Sequence, residues 1–275
     1  MGKCALCGKK FLFGKFDENG YCPSCSSWHK QNEAKKEQQR LKEEEDARKV
    51  TAWIDSLPTF EIEIPEKGYL RQKEYEEFDF SNITPKGTYD DIVAFDTETT
   101  GLAPSRDRII ELAAIRYVNG SPVEKFHSYV NPERPIPAEA SQINHITDDM
   151  VAGAPTIGQI LPSFEKFVGK STLVAHNLEF DLKFLYYSGS KILETKRKYI
   201  DTLDQAHKLI KKDEVSDYQL ETLCWHFNHN IASAHSALAD AFAVGWLFHY
   251  LVLQKQGSVV FQKTPDAPPK SMIII

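Results

Sequence analysis

"YDDIVAFDTETTGL", residues 89–102, begins as a buried strand and sets two carboxylates where that strand ends. The run Ile92-Val93-Ala94-Phe95 is apolar and favours extended backbone, so it reads as a central strand. Asp96 and Glu98 stand two apart and therefore leave the same face. Ionised carboxylates at the end of a buried strand are costly unless a positive group offsets them. One reading is a pair of oxygen ligands for a hard cation. The other is a strand-to-turn transition whose Asp and Thr side chains cap backbone groups. On these residues alone both stand.

Further oxygen ligands are required at strand ends or helix starts if the first reading holds, and two stretches offer them. In "TLVAHNLEFDLKFL" (172–185) a short strand runs into a helix, and Asp181 interrupts Phe180, Leu182, Phe184 and Leu185, where a charge needs a partner. An early-helix carboxylate favoured by the helix dipole is the plainer account of Asp181. In "AHSALADAFAVGWLFHYL" (234–251) Asp240 is embedded among Ala237, Ala239, Ala241 and Ala243, small residues that allow tight packing on a sheet. Four converging carboxylates repel unless they share about two divalent cations, a pair suited to clamping a phosphodiester during in-line displacement. His235 lies five residues before Asp240, at the edge of the same helix, where it could accept a proton from water.

The stretches "FDTETTGL", "AHNLEFD" and "AHSALADA" resemble, in order, the three motifs of the DEDDh 3′→5′ exonucleases. This is the family of the proofreading epsilon subunit of bacterial DNA polymerase III. The resemblance covers residues 89–254 and includes "RIIELAAIRYVNG" and "INHITDDMV". It implies a ribonuclease H-like α/β fold, a mixed sheet flanked by helices. It also implies that Asp96, Glu98, Asp181 and Asp240 hold two Mg²⁺ or Mn²⁺ ions, with His235 as general base. Carried over in the same way, Thr97, Leu102, Asn144, Asn177 and Phe180 are substrate-side residues, Leu102 offering an apolar surface to the terminal base. Asn144 stands where the family often has a histidine, and Glu139 matches another substrate-side position weakly. The implied reaction is hydrolysis of the terminal phosphodiester, releasing a nucleoside 5′-monophosphate. Oxygen ligands suit Mg²⁺ or Mn²⁺ and argue against zinc at this site. Cys224, in "YQLETLCWHF", reads as a packing residue.

Outside that region the composition changes sharply. Residues 1–27 hold Cys4-Ala-Leu-Cys7 and Cys22-Pro-Ser-Cys25, a C-x₂-C pair of knuckles suited to one structural Zn²⁺ in a zinc ribbon too small for a core of its own. Lysines 3, 9, 10 and 15 interleave with Phe11, Phe13, Phe16 and Tyr21, a mix that suits single-stranded nucleic acid, a protein partner, or simply the filling of a small domain. Residues 28–57 are mostly charged helix formers without a sustained heptad and read as a solvated helical spacer, ended by Pro58. Residues 58–88 form a linker with no assigned structure, and residues 255–275 a tail in which "QGSVVF" faintly suggests a sliding-clamp peptide. A hairpin is expected at Asn119-Gly120-Ser121-Pro122 between strands at 108–118 and 123–130.

The net charge of −6 excludes a uniformly basic nucleic-acid binder but allows a local basic patch. No stretch reaches the length of an apolar membrane span, so a cytoplasmic protein with no membrane partner is expected. The expected activity is a metal-dependent 3′→5′ exonuclease acting on single-stranded 3′ ends, DNA in preference to RNA, with a polymerase or sliding clamp as candidate partner. The alternatives are an exoribonuclease of the same fold, where discrimination rests on the 2′-OH, and a non-catalytic binding subunit.

Overall fold

A computed structural model describes residues 2–11, 16–69, 90–195, 197–227 and 236–255. Two units divide the chain, Met1–Arg48 and Lys49–Ile275. In the first, strands β1 (Gly2–Lys3) and β2 (Lys10–Phe11) pair antiparallel. Between them the Cys4 N–H donates to the Lys9 carbonyl at 3.0 Å and the Gly8 N–H to the Cys4 carbonyl at 3.0 Å. Gly8 takes φ 71°, left-handed backbone that this tight turn needs and side chains resist. Helix α1 (Pro23–Ser56) opens on Pro23, whose fixed φ suits a first helical position. Ion pairs one turn apart, such as Arg40 with Glu37 at 2.6 Å, lace its exposed surface.

The end of α1 belongs to the second unit and is not a solvated spacer. Val50, Trp53, Ile54 and Leu57 recur at helical spacing, and Ile54 and Leu57 are buried in a cluster with Ile92, Ile115, Tyr117, Phe242 and Phe248. A stripe of two turns was too short to register as a heptad, yet it is enough to dock one helix end. The Lys125 ammonium donates to the carbonyls of Ile54 and Asp55 at 3.0 and 2.9 Å, capping that helix end with a cation. The chain then pairs with Lys125, whose N–H donates to Pro58 and whose carbonyl accepts from Phe60, both at 2.8 Å. Phe60 and Ile62 pack against the main core, and Ser163 exchanges hydrogen bonds with the backbone of Glu63 at 3.0 Å each. The first part of the expected linker, through residue 69, is thus part of the folded unit; residues 70–88 lie outside the described residues.

The sheet is built from β3 (Asp91–Thr99), β4 (Ile109–Val118) and β5 (Ser121–Tyr129), followed after helices α2 (Ala138–Asn144), α3 (Asp148–Val151) and α4 (Ile157–Val168) by β6 (Thr172–Ala175). Helix α5 (Leu178–Tyr187), β7 (Tyr199–Asp201) and helices α6 (Thr202–Leu209), α7 (Leu220–His226) and α8 (Ala237–Lys255) complete it. Strand order is β5-β4-β3-β6-β7, antiparallel from β5 to β3 and parallel from β3 to β7. The β4–β5 turn is tighter than expected: Asn119 and Gly120 take φ 50° and 78°, a two-residue turn with both centres left-handed. Helices α2 and α3, seven and four residues long, are too short to show a period in the sequence.

β3 is buried on both faces and divides two cores. Val93 and Phe95 pack with Phe164, Phe167, Leu182 and Phe184 of α4 and α5. Ile92 and Ala94 face α8 and the end of α1. Gly245 lets α8 approach β4 closely, since a Cβ there would lie 2.2 Å from the Tyr117 ring, and the Tyr117 hydroxyl donates to the Phe242 carbonyl at 2.9 Å. No helix among the described residues is long and apolar enough to cross a membrane.

Candidate active site

Alternation along β3 decides where each carboxylate points. Asp96 and Glu98 continue the Ile92–Ala94 face, toward α8, while Thr97 continues the Val93–Phe95 face, toward α5. Carboxylate oxygens of Asp96, Glu98 and Asp240 all lie within 4.8 Å of one another. Asp181, 3% exposed, approaches from the other layer and accepts a 2.6 Å hydrogen bond from the Thr97 hydroxyl. The α5 turn that carries it is held by Asp201, whose carboxylate accepts from the N–H groups of Asn177 and Leu178 at 3.0 Å each. Asn177 itself takes φ 65° ahead of the helix.

The electrostatics of the cluster are those of a cation site. Burial, then the charges of Asp181, Asp240 and Glu98, holds Asp96 well above the usual carboxylate range. Burial, then Asp240 and Glu111, pushes Glu98 up to about 8. Burial raises Asp181 to about 7, against the hydrogen bonds from Thr97 and the backbone. So many carboxylates in one low-dielectric pocket ionise together only with positive charge among them. A donor set of carboxylate oxygens alone fits Mg²⁺ or Mn²⁺.

The remaining expected residues fall in several places. Leu102 is 83% exposed on the turn after β3, Asn177 is exposed, and Phe180 is half-buried with its ring 4.9 Å from that of Phe184. Asn144 is buried: its amide donates to the Thr99 carbonyl at 3.3 Å, its oxygen accepts from the Ile146 N–H at 3.1 Å, and it hydrogen-bonds Glu98. Both Thr97 and Asn144 are therefore engaged with the carboxylate strand and its ligand candidates. His235 lies outside the described residues. Cys224 is fully buried, and burial raises its thiol well above the ordinary range.

Sequence reasoning missed Glu111, Asp201 and His127. Glu111 stands directly opposite Glu98 in the β3–β4 register and is 2% exposed. Its signal was present, a single charge inside the apolar run "RIIELAAI". Asp201 had the signal of a helix N-cap before Thr202, and its side chain accepts from the Leu203 N–H.

In the first unit the sulfurs of Cys4, Cys7, Cys22 and Cys25 lie within 4.8 Å of one another. Backbone N–H groups, led by that of Cys7, lower the Cys4 thiol to about 6, while the neighbouring thiols, led by Cys7, push Cys25 up to about 12. The Cys22 N–H donates to the Cys4 sulfur at 3.3 Å. A four-sulfur set of this kind fits tetrahedral zinc.

A ribonuclease H-like mixed sheet with clustered carboxylates at the end of its central strand defines a nuclease fold. The sequence pattern of the RNase_T family, described as Exonuclease, matches residues 93–248, and the chain belongs to this family. It is 39% identical over 158 residues to the DNA polymerase III PolC-type of Bacillus subtilis (strain 168), covering 56% of this chain and 11% of that protein. It is 38% identical over 150 residues to the DNA polymerase III subunit epsilon of Treponema pallidum (strain Nichols), covering 54% of this chain and 70% of that protein. The chain thus spans about a tenth of the PolC-type polymerases it matches. E. coli Exonuclease I, solved with a dA16 oligonucleotide, superposes with a TM-score of 0.53 at 21% identity, covering 61% of this chain and 42% of that one, a likeness of fold.

Proposed function

We propose that the chain is a divalent-metal-dependent 3′→5′ exonuclease that removes nucleoside 5′-monophosphates from single-stranded DNA ends, in the cytoplasm and alongside a replicative polymerase. The observation that carries this reading is the three-carboxylate cluster within 4.8 Å, with Asp181 beside it, in a chain of the exonuclease family. Asp96, Glu98, Asp181 and Asp240 would hold two Mg²⁺ or Mn²⁺ ions, which when bound supply the positive charge that phosphodiester hydrolysis needs. Thr97 orients Asp181 and Asn144 orients Glu98 through the hydrogen bonds described. Leu102 offers an apolar face to the terminal base, with Asn177 and Phe180 toward the preceding nucleotide. His235 takes the proton of the attacking water.

The N-terminal cysteines would hold one Zn²⁺, and the exposed Lys3, Lys9 and Lys10 beside them would engage the nucleic-acid backbone. The names of the relatives support a replicative setting, and polymerase or sliding-clamp docking is the matching partner reading. The test is the shortening of 5′-labelled DNA and RNA oligomers with Mg²⁺ or with chelator. Stepwise shortening of DNA, abolished by chelator and by Asp96→Asn, is expected. Faster shortening of RNA would assign the exoribonuclease reading. No shortening of either substrate would assign the non-catalytic one.

A further inference from the structure

Glu111 is a buried carboxylate that the proposed chemistry does not use. It lies on β4, paired with Glu98 across the sheet, where a like charge directly opposite is unfavourable. Both of its oxygens are nevertheless engaged. Oε1 lies 2.7 Å from His127 Nε2, on β5, and Oε2 accepts from the Ala237 N–H at 3.2 Å. Ala237 is the first residue of α8, and Asp240 lies three residues on, about one turn along the same side of the helix. A single side chain therefore ties β4, β5 and the start of α8 together, immediately beside the carboxylate cluster.

From this geometry we infer that Glu111, anchored by His127, is a positioning residue that sets the distance of Asp240 from Asp96 and Glu98. The inference rests on the cation-site reading above. Its own oxygens are occupied by α8 and His127, so it acts through the placement of Asp240 and takes no place among the ligands. The negative charge favours the helix N-terminus it accepts from, and the His127 contact fixes its rotamer. Loosening the tie lets α8 drift, and metal ligands misplaced in this way typically lose about 10- to 100-fold in affinity or activity.

The experiment is Mn²⁺ binding to the full chain, zinc site loaded, followed by electron paramagnetic resonance and calorimetry and paired with rates at saturating Mn²⁺. The proteins are the parent, Asp96→Asn, Glu111→Gln, Glu111→Ala and His127→Gln, each with a thermal midpoint. Glu111→Gln keeps one acceptor and loses the other, so it should weaken Mn²⁺ by about tenfold at unchanged stoichiometry, with the rate at saturation within about threefold of the parent. His127→Gln should shift the affinity in the same direction by less. Glu111→Ala should exceed both, and if it fails to fold the other two still decide.

Parental affinity in Glu111→Gln overturns the inference, as does a lowered thermal midpoint with no change in affinity. Loss of one bound ion per chain in Glu111→Gln also overturns it, by making Glu111 a ligand. A parent that binds no Mn²⁺ at the site removed by Asp96→Asn would instead sink the cation-site reading itself.

Discussion

Asp181→Asn separates the cost of the site from its use. Asp181 is 3% exposed, and its carboxyl is raised from the ordinary 3.8 to about 7 by burial. A group held above its unfolded value favours folding most below that value, and the advantage disappears as pH rises to the folded value. The cation-free protein should therefore lose stability between about pH 4 and 7 through this carboxyl alone. At about 1.4 kcal/mol per pH unit the displacement corresponds to at most about 4 kcal/mol, and charge sharing with Asp96 lowers the expected value to about 2 kcal/mol. Asparagine keeps an oxygen to accept the 2.6 Å bond from Thr97 and carries no charge.

In buffer freed of Mg²⁺ and Mn²⁺, urea unfolding at pH 8 should find the variant more stable than the parent by about 2 kcal/mol, with the difference vanishing near pH 4. Adding Mg²⁺ to a hundredfold excess over its dissociation constant should restore about 2.7 kcal/mol to the parent and much less to the variant. The variant should release no mononucleotide. A difference that is the same at pH 4 and pH 8 would refute the ionisation argument and leave only packing. A variant less stable than the parent at pH 8 would refute it outright.

Further outcomes follow from the rest of the molecule. His235→Ala should lower the rate on the order of 10²-fold and abolish the rise in rate with pH through about 6.5 expected of a histidine base; an unchanged profile would remove His235 from the reaction. Deleting residues 1–48 should leave the thermal midpoint of the remaining unit almost unchanged. Deleting 1–57 should lower it sharply, because emptying a buried aliphatic site such as Ile54 or Leu57 costs about 2–5 kcal/mol; equal midpoints would show that the end of α1 is dispensable. If Lys3, Lys9 and Lys10 contact phosphates, deleting 1–48 should reduce the salt slope of single-strand binding by about 2, at about 0.7 per contact, with kcat on very short oligomers unchanged. The same slope in both proteins would favour protein docking by the cysteine unit.

What could be read in advance was whatever one segment states by itself. β3 declared its burial by an apolar run and its site by Asp96 and Glu98 two apart, and α8 declared tight packing by its alanines. Relations between segments were silent. That Glu111 faces Glu98 depends on the β3–β4 register, and no local pattern fixes a register before both strands are paired. That Asn144 lies under Glu98 depends on α2, seven residues long and without a legible period. The stripe Val50, Trp53, Ile54 and Leu57 was visible but brief, surrounded by charges that set the character of the longer helix.

The placement of the site follows from β3, which among the described residues alone has an antiparallel neighbour on one side and a parallel neighbour on the other. β3, β6 and β7 end at the same edge, which delivers Asp96, Glu98, the Asn177 turn and Asp201 there, while β4 runs the opposite way and brings Glu111 in near its start. Carboxyl ends of strands at a change of sheet direction are open to both helical layers. Alternation along β3 then hands Asp96 and Glu98 to the α8 layer and Thr97 to the α5 layer, so Asp240 and Asp181 approach from opposite sides of one strand. A cluster assembled this way cannot relax by moving a single loop, because each carboxylate sits on an element whose other face is in a core. The burial that lifts Asp96, Glu98 and Asp181, and the mutual repulsion that adds to it at Asp96 and Glu98, are therefore retained in the fold, and bound cations would relieve them.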